Sequence, residues 1–185
     1  MPGQRLGSMI GATFGLIYLL INAGALPLAA SLPLRAVGAA AFLAVLAAIC
    51  RPPARSTASH APSFPGRGFG RPFWLVVAAE AAALAAGLAL LNGPLHAPHA
   101  GVAWVSTVVG AHFFALAVVF GQRFFHWLGA AIMACGVIGL VLAAGGAPVP
   151  LVATISGIVP GALLLASGWW GAHRTAPTTA PATGR

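Results

Sequence analysis

RPFWLVVAAEAAALAAGLALL, residues 71–91, decides the fold. It is an apolar run of roughly 20 residues, and at about 1.5 Å per residue a helix of that length crosses the hydrocarbon core of a bilayer. The connector NGPLHAPHAG (92–101) follows, and then a second apolar run, VAWVSTVVGAHFFALAVVF (102–120). Two such runs joined by a short polar link are expected to form an antiparallel helical hairpin. The outgoing run carries Glu80, the only acidic residue in the chain, and the return run carries His112 near its middle. Counted from the centre of the connector, each lies roughly 16 residues away, so the two should reach similar depth.

Outward from this hairpin the same pattern repeats. Apolar runs span about 9–30, 34–49, 73–91, 102–120, 128–144 and 151–170, so the expected fold is all-α, a polytopic integral membrane protein with one bundle of six transmembrane helices. Pro27 and Pro33 are expected to bracket the first connection. The segment 51–72 is rich in Pro, Ser, Gly and Arg and lacks apolar periodicity, which reads as a flexible loop. Residues 171–185, with Thr, Pro and Ala, read as a disordered tail. A rival for the first run is a cleaved signal peptide ending at Ala23-Gly24-Ala25. Apolar character continues past that point, which favours a retained helix.

Composition excludes the soluble classes. Of 185 residues 59% are hydrophobic and only 5% charged, with a mean hydropathy of +0.95. Soluble domains carry about 25% charged residues. The net charge of +8 comes from nine arginines against one glutamate. In a soluble chain that balance would point to nucleic acid. Here the arginines flank the apolar runs, so they read as topology determinants facing anionic lipid headgroups, and no nucleic-acid partner is expected. Arg51, Arg55, Arg67 and Arg71 share one loop, which places it in the cytoplasm. Alternation then puts both termini inside, in a cell membrane, with Arg35 alone on the other side.

Helix contacts in lipid rely on small residues. Gly11/Gly15, Ala79/Ala83/Gly87, Ala131/Cys135/Gly139 and Gly157/Gly161 have the required four-residue spacing. Pro160, inside the sixth run, frees the carbonyl of Ser156. Cys50 and Cys135 differ in depth and read as packing residues.

Chemistry converges on Glu80 and His112. A charged group at mid-bilayer costs about 2.5 to 3.5 kcal/mol on insertion scales, so such residues face the bundle interior, pair, or serve a function. With no Asp and no second Glu, neither a nucleophile–base–orienter set nor a metal site is expected, and no cofactor is implied. His60, His96, His99, His126 and His173 lie in loops or at interfaces. Trp104, Phe113, Asn92 and Tyr18 are the candidate contacts for a substrate. The scarcity of polar lining groups argues for an apolar or amphiphilic molecule.

Three classes of function follow. The first is proton-coupled transport of a lipophilic small molecule at Glu80/His112. A lone membrane carboxylate with aromatic neighbours is similar to the site logic of small multidrug exporters, a likeness of site only. The second is a membrane enzyme in which Glu80 protonates an apolar alkene or epoxide, in the manner of integral membrane terpene cyclases. The third is a scaffold or accessory subunit, a homo-oligomer among the options. The topology is open to direct test. Cysteines placed singly at Ser59 and Thr179 should resist an impermeant thiol reagent in intact cells, and labelling of either from outside would overturn the cytoplasmic assignment.

Overall fold

A computed structural model describes residues 2–51 and 70–173, with side chains from Arg5 onward. The expectations for residues 52–69 and 174–185, including Arg55, His60, Arg67, Arg174 and Arg185, fall outside the described residues. Among the described residues, six helices are long and apolar enough to cross a membrane. They are α1 (Pro2–Asn22), α2 (Leu28–Cys50), α3 (Arg71–Asn92), α4 (Gly101–Phe120), α5 (Arg123–Ala144) and α6 (Val149–His173). This is the architecture of a multi-pass membrane protein.

The first connection differs from the sequence expectation. The chain leaves α1 at Asn22, makes a 3-10 turn over Ala23–Ala25, and starts α2 at Leu28. Pro33 therefore lies inside α2 and does not mark its start. The physical reason is Pro27. A residue before proline is driven out of the helical region, and Leu26 adopts φ −92°, ψ 156°. Pro33 does cost α2 the backbone bond to Ala29, but lipid-spanning helices tolerate an early proline when neighbours pack against them.

Most chain neighbours pack together, with one long-range pairing that closes the bundle. α4 packs most extensively on α5, and α1 packs on α6, the last helix of the chain. α2 adds to the α1–α6 pair, and α3 leans on α4. Small residues set the close approaches. Gly15 faces Leu165 and Gly161, Gly110 faces Met133, and Gly136 faces Thr107. Ser8 lies beside Gly168 and Gly171, so the start of α1 meets the end of α6. That antiparallel pairing gathers Arg5, Arg51, Arg71 and Arg123 at one end of the bundle. The same end carries an aromatic belt, with Phe124 and Trp170 at 4.8 Å and Phe113 stacked on Phe125 at 5.9 Å.

The two pairs meet at a π-bulge in α6, Thr154–Ile158, which touches α1, α4 and α5. Pro160, fully buried, cannot donate to the Ser156 carbonyl four residues earlier. Ser106 on α4 takes that carbonyl with its hydroxyl instead. The Ser156 hydroxyl in turn donates to the Cys135 carbonyl on α5, 3.0 Å away. Ser106 Oγ also lies 3.4 Å from the Tyr18 hydroxyl of α1. Four helices are thus tied at one level by two serines and a tyrosine, and both serines are completely buried.

Gly139 is what lets α5 close on this bulge. A Cβ there would stand 2.9 Å from the Ser156 Cβ and 3.0 Å from the Ala103 Cβ, inside normal contact. Gly139→Ala should therefore lower stability by about 1 to 3 kcal/mol, the cost of overpacking a filled core. Gly7, where an added Cβ would meet nothing within 4 Å, is the control. Gly7→Ala should be neutral or stabilise by up to about 1 kcal/mol. Thermal unfolding of the purified pair checks this, and equal effects at both positions would contradict the packing described.

Candidate functional site

The α3–α4 hairpin is a zipper with one register. Phe73 meets Phe120 with ring centroids 6.3 Å apart, Glu80 meets His112, and Gly87 lies under the indole of Trp104. On α4, Trp104, Val108 and His112 recur at four-residue spacing and so share the stripe that faces α3. Trp104 also clasps the hairpin through its ring nitrogen, which donates to the Ala83 carbonyl at 3.1 Å. Because Gly87 has no side chain, the indole can lie flat against α3 and reach that carbonyl.

Glu80 lies near the middle of α3 and His112 just past the middle of α4. Their side chains are 13% (His112) and 20% (Glu80) exposed, with Nδ1 3.1 Å from Oε2. The contact is close, yet Nδ1 is buried without a partner in hydrogen-bond geometry. The carboxyl oxygen lies off the direction an N–H on that nitrogen would take. The pair is in contact and incompletely satisfied.

The remaining candidates divide. The Tyr18 hydroxyl, on α1, sits at the serine hub beside Ser106. Trp104 is on the α3-facing stripe, two turns from His112. Phe113 adjoins His112, with centroids 6.1 Å apart and rings nearly perpendicular, but it turns toward α5 and stacks on Phe125. Asn92 is exposed at the far end of α3, and its amide donates to the Leu88 carbonyl at 2.8 Å. The structure thus brings Glu80 and His112 together, sets Tyr18 at the serine hub beside Ser106, and leaves Asn92 away from both.

At the serine hub, Ser106 carries no expectation from the sequence, and Ser156 enters there only through the carbonyl that Pro160 frees. The freed Ser156 carbonyl is the signal that could have found Ser106, since a carbonyl released by Pro160 in lipid requires a donor. A hydroxyl at mid-helix on another span is the place to look for it. Asn22 completes the hub from α1, packed on Gly157, with its amide donating to the Tyr18 carbonyl at 2.7 Å. Among the described residues no three His, Cys, Asp or Glu side chains gather as metal ligands would. Comparison with known proteins finds no matching family, and no significantly similar curated protein or solved structure.

The off-axis contact has a measurable consequence. Interhelical hydrogen bonds in membranes average about 0.6 kcal/mol and reach about 1.7 kcal/mol. A double-mutant cycle of Glu80→Leu and His112→Phe in thermal or denaturant unfolding should give a coupling at the lower end, about 0.6 kcal/mol. Strictly additive losses would mean the two side chains do not interact.

Proposed function

We propose that this protein carries an apolar or amphiphilic molecule across the cell membrane in exchange for protons, with Glu80 as the proton-binding carboxyl and His112 as its working partner. The observation that carries the reading is the contact itself. An acid and a base stand 3.1 Å apart inside a span without closing a well-formed hydrogen bond. A pair kept only to join two helices has every reason to close that bond, since an unmet polar group in hydrocarbon is costly. An open carboxyl retains acceptor capacity for a proton or for a cationic group on a substrate. α3 packs on α4 and leaves its other faces to the lipid, so an amphiphile has a lateral route to Glu80.

The arginine-rich end is the cytoplasmic one by the positive-inside rule, with both termini on that side and anionic headgroups as counter-ions. Trp104, two turns from His112 on the stripe that faces α3, is the aromatic side chain suited to a lipophilic cation, whereas Phe113 is engaged with Phe125. The acid-catalysed enzyme reading uses the same carboxyl and differs in its outcome, a changed product in place of a moved one.

A scaffold role is the second reading, favoured by the Trp104–Ala83 clasp, which already secures the hairpin. Glu80→Gln separates the two. It keeps the shape and hydrogen bonding of the side chain and removes its titration. Proton release from the detergent-purified protein on adding tetraphenylphosphonium, read with a pH indicator, should fall to background in Glu80→Gln, while its melting temperature stays close to wild type. A folded Glu80→Gln sample releasing as many protons as wild type would leave the scaffold reading standing.

A further inference from the structure

We propose that Arg35 and the turn between α1 and α2 form a binding site for a phosphate group carried by an anionic lipid, at the end of the bundle opposite the other described arginines. Arg35 follows the start of α2 at Leu28 by about two turns, which sets its backbone about 10 Å inside the helix end. A guanidinium cannot shed its charge under these conditions. The side chain is half-buried, and its Nε is buried with no hydrogen-bond partner. It stretches toward the turn Ala23–Ala25, where a Cβ on Gly24 would come within 3.3 Å of Nη2. Long basic side chains in spans extend in this way toward the headgroup layer.

The counter-ion must come from outside the chain. The whole sequence contains one acidic side chain. That residue, Glu80, faces His112 across α3 and α4, whereas α2 packs on α1 and α6. Arg51, Arg71 and Arg123 are exposed at the other end and have their own access to headgroups. Arg35 is different, a fixed charge recessed in a span with one donor already desolvated. The anion abundant at that depth is lipid phosphate, and the planar fork of a guanidinium matches two phosphate oxygens. Gly24 keeps the space above the fork free of a side chain. Inorganic phosphate shares this chemistry and differs in lacking an acyl anchor.

The test is thermal unfolding of the full chain in maltoside micelles with phosphatidylcholine as filler, titrated with dioleoylphosphatidylglycerol or with inorganic phosphate. Wild type should gain stability with phosphatidylglycerol. Arg35→Leu should lose most of that increment and Arg35→Lys part of it, with the half-saturating lipid concentration raised about tenfold or more in each. The arginines at the other end are common to all three samples, so the difference reports Arg35 alone. A full increment from inorganic phosphate alone, lost in Arg35→Leu, would assign the site to free phosphate and overturn the lipid proposal. Should Arg35→Leu fail to fold, Arg35→Lys carries the comparison by itself. Equal increments and equal half-saturation in wild type and Arg35→Lys, or in wild type and Arg35→Leu, would equally overturn it.

Discussion

One carbonyl sets the terms for the whole bundle. Pro160 withholds the backbone donor that Ser156 would otherwise use, and in hydrocarbon no water is present to replace it. Ser106, from a different helix, satisfies the carbonyl, and the Ser156 hydroxyl bonds Cys135 on a third. The π-bulge around Ser156 is the geometric expression of this exchange, one extra residue per turn where the ladder is broken. Gly139 and Gly157 are small because α5 and Asn22 must come close enough for the exchange to occur. That bond adds a polar tie between the α1–α6 and α4–α5 pairs, which also meet through Leu128, Ile132 and Leu164.

The contrast between the centre and the margins is informative. At the hub, the polar side chains of Ser106 and Ser156 both find partners. Away from it, the described buried nitrogens that lack one are His112 Nδ1 and Arg35 Nε, on helices α4 and α2. Structural polar groups at the hub are satisfied, which makes the two unsatisfied ones the places to expect a ligand, a proton or a lipid. The two sites differ in kind. His112 has the chain's acid beside it, and Arg35 has only what the membrane brings.

Much of the fold is legible in the sequence because a bilayer enforces length. Six apolar runs of sufficient length leave few arrangements, and counting back from the 92–101 connector places Glu80 and His112 at one depth. The GxxxG pair of Gly11 and Gly15 is readable for the same reason, as small residues at helical spacing are the main means of contact in lipid. What escapes is whatever depends on which helices are neighbours. Ser106 looks like one hydroxyl among apolar residues, and only its position opposite Ser156 gives it meaning. Gly110, Gly129 and Gly136, which seat α4 on α5, follow no single four-residue series. Pro33 reads as a boundary because proline commonly is one, whereas Pro27 has already turned the chain.

The pairing of the first helix with the last has a consequence for how this protein is made. Helices enter the membrane in the order of synthesis, so α1 and its hairpin partner α2 arrive long before α6 exists. Throughout that interval Gly11 and Gly15 face lipid, and Tyr18 waits beside helices that have no bulge to close upon. α4 and α5 find each other early, because only Gly121 and Gln122 separate them. Only once α6 is present can Ser156 meet Ser106 and Gly161 meet Gly15. Assembly of this bundle is therefore completed from its C-terminal side, and a nascent chain stopped before α6 holds its first helix without its main partner.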